Sequence, residues 1–98
     1  MNTELDPVIH ERSRLLILSY IASNEKKNIA FNELKAALSL TAGNLSIQLK
    51  TLEKNGYVTI TKKFSGNKPL TEVSMTAQGI QALKEHLTAI ESLLKSLR

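Results

Sequence analysis

Across Gly56 the apolar spacing of this chain changes period, and that change restricts the possible folds more than any other feature. Before it, Leu45, Leu49 and Leu52 recur at helical spacing. At about 100° per residue they fall within about 60° of one another and form one stripe. After it, Tyr57-Val58-Thr59-Ile60-Thr61 alternates apolar and polar residues, as a half-buried strand does. Ser65-Gly66-Asn67-Lys68-Pro69 carries turn chemistry. From Leu70 to Thr76 the alternation resumes, with Val73 and Met75 on one side. A helix therefore runs directly into a two-stranded hairpin, with Gly56 suited to the left-handed position just past the helix end.

The remaining signals extend this order in both directions. Thr41 is placed to cap the helix of the leucine stripe, predicted from Ala42 to about Asn55. Ser39-Leu40 forms the turn before it. Asn32 is placed to cap a short helix, ELKAALSL, with Leu34, Ala37 and Leu38 on one face. Asn28 to Phe31 reads as a minimal strand. Asp6 followed by Pro7 reads as the start of a first helix that runs to about Ser23. Its LLILSYIA half is apolar nearly all round, which predicts burial on more than one side. Thr76 caps a last helix from Ala77 to about Leu97, and Met1 to Leu5 reads as a loose terminus. Two helices about a tight turn, followed by a twisted hairpin, describe a winged helix-turn-helix. The expected fold is mainly α within an α+β class, with a two-stranded β-hairpin wing and a long C-terminal helix. Ninety-eight residues have room for one domain. Residues 6–76 would hold the helix-turn-helix and wing, and residues 77–97 a dimerisation helix.

Charge separates the surfaces. Between Thr41 and Leu70 stand Lys50, Lys54, Lys62, Lys63 and Lys68 against Glu53 alone, while the other eight basic and eight acidic residues cancel. The whole net charge of +4 thus lies in one contiguous third, which favours a polyanion-facing surface over a scattered solvated one. With no cysteine, thiolate metal sites and cysteine nucleophiles are excluded. The longest apolar run, Leu15 to Leu18, is far below the roughly 20 residues that span a bilayer. The acidic N-terminus (Glu4, Asp6) lacks signal-peptide character. A cytoplasmic location is expected, with no membrane partner.

The face of the third helix opposite its leucines fits a major groove. Gly43 permits close backbone approach, and Ser46 can bond base or phosphate. Asn44 and Gln48 can offer paired donors and acceptors to adenine, and Ile47 can touch thymine methyls. Base contacts are expected from Ala42, Gly43, Asn44, Ser46 and Ile47. Backbone contacts are expected from Thr41, Gln48, Lys50 and Lys54, and from the wing lysines Lys62, Lys63 and Lys68. The bland alternatives are a lone exposed isoleucine and strand lysines that block edge pairing.

The stretch FNELKAALSLTAGNLSIQLKTLEKNGYVTITKKFSGNKPLTEVSMTAQG resembles the single-domain winged-helix DNA-binding proteins related to the MarR and ArsR regulators. The resemblance covers roughly Asp6 to Leu87. Its most specific elements are TAGNLSIQLKTLEKNGYV, the hairpin FSGNKP and the Thr76–Gly79 start of the last helix. It implies a recognition helix at Ala42–Asn55, a wing at Phe64–Pro69 and a homodimer on a palindromic operator in double-stranded DNA. Two positions depart from the pattern. Similar proteins often carry a histidine where Gln48 stands and a basic residue where Leu70 stands, which leaves this wing less basic.

Ile80, Leu83, Leu87, Ile90, Leu94 and Leu97 follow spacings of three and four without a break, the pattern of a heptad seam. Each leucine left wet would forfeit roughly 1.5–3 kcal/mol. A dimer interface is therefore expected here, joined by Leu15 and Leu18 of the first helix. Packing within the chain is the alternative. His10 and His86 read as lone surface residues. No catalytic constellation, metal site or cofactor motif can be assembled, so an enzyme is not expected. The rival function is a winged-helix protein–protein interaction module. RNA binding is weaker, because 4% aromatic residues leave few stacking platforms.

Overall fold

A computed structural model describes residues 4–97. Part of the terminus expected to be loose, Met1–Thr3, lies outside the described residues. The elements are α1 (Arg12–Ser23), β1 (Ile29–Ala30), α2 (Phe31–Leu38), α3 (Ala42–Lys54), β2 (Val58–Ser65), β3 (Lys68–Met75) and α4 (Ala77–Lys95). The order is that of a winged helix, mainly helical, with the β2–β3 hairpin as the wing.

The caps explain the boundaries that sequence foresaw. Thr41 Oγ1 accepts the Asn44 N–H at 3.1 Å, and Thr76 Oγ1 accepts the Gly79 N–H at 2.8 Å. Each satisfies one of the orphan donors of a helix start. Ser39, with φ of 54°, makes the left-handed turn between α2 and α3, and Gly56, with φ of 79°, ends α3.

Two starts differ from expectation. Asp6 caps a separate turn, not α1: its Oδ1 accepts the Val8 N–H at 2.8 Å, and the His10 N–H donates to its carbonyl at 2.7 Å. The chain then extends at Glu11, whose carboxylate accepts the Ser13 N–H at 2.6 Å and becomes the cap of α1. Asn32 caps nothing and lies inside α2. Pairing of Ile29 with Val73 and Ala30 with Glu72 keeps the backbone extended up to Ala30, and α2 begins at Phe31, two residues earlier than expected.

That pairing also makes the sheet three-stranded, in the order β1-β3-β2, all antiparallel. The hairpin strands outrun their predicted lengths, leaving Gly66-Asn67 as the turn. Pro69 falls inside β3 opposite Phe64. It is tolerated because β1 reaches only residues 72 and 73, so β3 has an open edge at residue 69.

The core lies between α1, α3 and the inner face of the sheet. Ile17, Leu18 and Ile21 from α1 meet Leu45, Leu49 and Leu52 from α3, and Ile29, Val58 and Val73 from the strands. Leu18 is fully buried and Leu83 nearly so within this single chain. This corrects their expected place at a dimer interface, since neither has surface to offer a second copy. α4 closes on the start of β2 through Gly79. A Cβ there would stand 2.1 Å from the Tyr57 carbonyl oxygen, so only glycine permits the approach.

Candidate nucleic-acid interface

α3 is held by its leucines, and what it turns outward follows from the same geometry. Ala42, Gly43, Ser46, Ile47, Lys50 and Lys54 are exposed, with Ile47 at 64%. Asn44 and Gln48 lie on the flank toward α1 and are half-buried. There Arg14 Nη1 donates to Gln48 Oε1 at 2.7 Å, and Gln48 Nε2 donates to Asn44 Oδ1 at 3.0 Å. The two amides expected to face a groove independently are instead bonded to each other and to α1. Thr41 is exposed but uses its hydroxyl as the cap.

The wing divides its lysines by strand parity. Lys62 and Phe64 share a face with Val58 and Ile60, opposite Thr71 and Pro69 across the ladder. This is the face toward α3. Lys63 points the other way, where its Nζ lies 2.8 Å from Glu72 Oε1. Adjacent in sequence, Lys62 and Lys63 therefore do different work, and Glu72 neutralises the second. Lys50, Lys54, Lys62 and Lys68 form no ion pair among the described residues.

Between α3 and the wing runs an open groove of about 580 Å³. Lys50 and Ser46 line its helix side, Lys62 and Thr71 its sheet side, and Glu53 is its one acidic residue. Two cations and two hydroxyls on facing walls are suited to a phosphodiester strand.

Residues 13–94 match the family described as winged helix DNA-binding domain. The chain belongs to that family. A protein of Methanocaldococcus jannaschii, the uncharacterized protein MJ0432, is 37% identical over 67 residues, which cover 68% of this chain and 73% of the relative. The solved structure of a transcriptional regulator homologue from Pyrococcus horikoshii is 27% identical and superposes with a TM-score of 0.84, covering 92% of this chain and 87% of the other. The Mycobacterium tuberculosis regulator MOSR, solved in complex with DNA, shares the fold. Its TM-score is 0.72 at 16% identity, over 93% of this chain and 63% of MOSR. The family is thus described as DNA-binding, and the Pyrococcus horikoshii neighbour is described as a transcriptional regulator homologue.

In this winged-helix domain sequence reasoning missed three residues. Phe64 is 72% exposed beside the wing turn; counting parity back from the buried Val58 would have put it on the α3 side. Arg14 reaches Gln48 across 34 residues, and no local signal announces that contact. His86 is no surface histidine but 1% exposed. Its Nδ1 accepts the Asp6 N–H at 3.3 Å, and its ring lies 5.4 Å from that of His10. Burial, and then the charge of His10, pushes its pKa down. Tyr57 donates to Asp6 Oδ2 at 2.5 Å, and this bond raises the phenol to about 12. The described residues contain no cluster of three or more metal-ligating side chains, and no helix among them is long and apolar enough to cross a membrane.

α4 buries Gly79, Leu83, His86 and Ala89 against its own domain. Of the predicted seam, Ile90 is half-buried, while Ile80, Leu87, Leu94 and Leu97 are exposed. Leu15 of α1 is half-buried against the core.

Proposed function

We propose that this domain binds double-stranded DNA sequence-specifically as a homodimer and regulates transcription from a palindromic site in the cytoplasm. The observation that carries the reading is the polar outward face of α3, with Ile47 exposed at its centre, beside a groove walled by Lys50 and Lys62. Ala42, Gly43, Ser46 and Ile47 face base edges in the major groove. Lys50, Lys54, Lys62 and Lys68 meet phosphates, as does the exposed start of α3 at Thr41. Phe64 supplies an apolar contact of the kind that enters a minor groove. Residues 77–97 join two copies through Ile80, Leu87, Leu94 and Leu97, setting the recognition helices about one duplex turn, or 34 Å, apart. A protein-interaction module would need a broader apolar patch on α3 than one isoleucine.

Selection from a randomised duplex library with the purified protein tests this reading. Recovery of an inverted repeat with half-sites about one turn apart is expected. Binding should weaken steeply with salt, each bound phosphate adding about −0.9 to the log–log slope. A slope near zero would sink it.

A further inference from the structure

Arg14 sits away from the outward face of α3, yet it determines what the flank of that face displays at Asn44. A guanidinium has only donors. The atom of Gln48 that meets Arg14 Nη1 at 2.7 Å must therefore be the amide oxygen. Gln48 consequently turns its Nε2 toward Asn44, and the atom of Asn44 that lies 3.0 Å from it must again be an oxygen. The free end of the Asn44 side chain is then its NH2 group. Flipping either amide would set donor against donor. Arg14 is itself held: its Nε donates to the Val8 carbonyl at 2.5 Å, and Nη1 stands 3.7 Å from Glu11 Oε2. The relay starts from fixed backbone and ends at the third residue of the recognition helix.

We propose that Arg14 is a specificity-determining positioning residue, which through Gln48 orients Asn44 to present a hydrogen-bond donor to the major groove and so selects guanine over adenine. Guanine offers two acceptors there, O6 and N7, whereas adenine sets an N6 donor beside its N7. The free asparagine amide would read adenine with a donor and an acceptor together. Here Gln48 occupies the oxygen and turns it along the helix. The inference rests on the DNA-binding reading above and names the base that reading leaves open.

The test compares full-length variants on the preferred duplex and on duplexes with each G·C pair changed to A·T. In the wild-type protein one symmetry-related pair of positions should lose about tenfold on G·C to A·T exchange. Arg14→Met should reduce that ratio to near one, with affinity for random duplex little changed, and Arg14→Lys, which keeps a donor, should retain most of it. Because Arg14→Met also removes the bond to Val8, Gln48→Glu serves as the second variant. Its carboxylate still accepts from Arg14 but has no proton to give, so Asn44 must turn its NH2 inward and its oxygen out. The preference at that position should then invert toward bases that present a donor, adenine or cytosine. A purely structural role for Gln48 predicts uniform loss without inversion. Discrimination unchanged in both Arg14→Met and Gln48→Glu, or equal losses on every duplex, would overturn the proposal while leaving DNA binding intact. No duplex binding by the wild-type protein would overturn the DNA-binding reading itself.

Discussion

α3 and α4 are built alike on the inside and differently on the outside. Each buries a stripe at helical spacing, Leu45-Leu49-Leu52 on α3 and Gly79-Leu83-His86-Ala89 on α4. Opposite its stripe α3 shows one large apolar residue, Ile47, among glycine, serine and lysine. α4 instead shows a row along the edge of its stripe: Ile80, Leu87, Leu94 and Leu97, the last at 80% exposure. Length makes the rest of the difference. α3 has 13 residues and stops with the core. α4 has 19 and buries nothing after Ala89. A helix that outruns its core while keeping its leucines is shaped for another helix. One that ends with its core and carries lysines and small polar residues is shaped for a polyanion.

The strongest way to break this contrast is to charge the row. Leu87→Glu combined with Leu94→Glu changes two residues with little role in the chain's own core, so each subunit should still fold. Two carboxylates at a helix–helix seam cost more than the assembly can recover except by dissociating. Sedimentation should show a monomer, and affinity for the preferred duplex should fall about a hundredfold, or roughly 2.7 kcal/mol. A dimer with unchanged affinity would move the interface elsewhere. Ile90 is a poorer probe, because it is half-buried beside Ala89 and a glutamate there would also injure the subunit.

On α3 the matching change is smaller. Ile47→Ala removes the one exposed apolar side chain and should cost about 1–3 kcal/mol on the preferred duplex, with far less on random duplex and no change in oligomeric state. Equal losses on both duplexes would make Ile47 a structural residue, and α3 and α4 would then differ only in charge.

Local rules made α3 legible from sequence. The caps Thr41 and Thr76, the left-handed Gly56 and the change of period each depend on a few consecutive residues, and each stands as expected. What failed depends on tertiary assignment. A 3–4 spacing cannot say which side of a stripe meets the subunit's own core, so it puts Leu83 in the seam and leaves His86 on the surface, whereas both are buried within the subunit. Asp6 and Glu11 are both competent caps five residues apart, and only the packing of the first turn decides that two starts exist. Charge alone groups Lys62 with Lys63, although period 2 places them on opposite faces. The Arg14–Gln48 contact joins two helices whose approach no window of sequence contains.

Strand parity sharpens the electrostatic side of the contrast. Lys62→Gln should flatten the salt dependence of DNA binding by about 1.8 in log–log slope, the share of two neutralised phosphates, one for each subunit of the dimer. Lys63→Gln should leave the slope near wild type, because Lys63 faces away from α3 and is already paired with Glu72. Association through α4 should respond little to the same salt range. If the two lysines flatten the slope equally, both meet phosphates and the wing lies on DNA edge-on.

The smallest effect concerns how each helix is attached. The stripe of α3 is all leucine, whereas that of α4 contains His86, which is 1% exposed. Its Nδ1 accepts the Asp6 N–H, so the neutral ring carries its proton on Nε2, which is buried without a hydrogen-bond partner among the described residues. Charging the ring would put a second proton against the Asp6 N–H and an uncompensated cation in the core. Burial and the neighbouring His10 therefore hold its pKa below 6.5, against a smaller opposing pull from Asp6. The unfolded chain takes up this proton at about 6.5, so below that pH it binds more protons than the folded one, and stability falls with acidification until the depressed folded value is passed. The urea midpoint should thus drop between pH 7.5 and 5.5, a window above the main carboxylate titrations. His86→Phe should flatten that drop, and His10→Gln should reduce it less, since His10 acts only through its charge. A midpoint independent of pH in the wild-type protein, or a full drop in His86→Phe, would show that α4 is attached as indifferently to pH as α3.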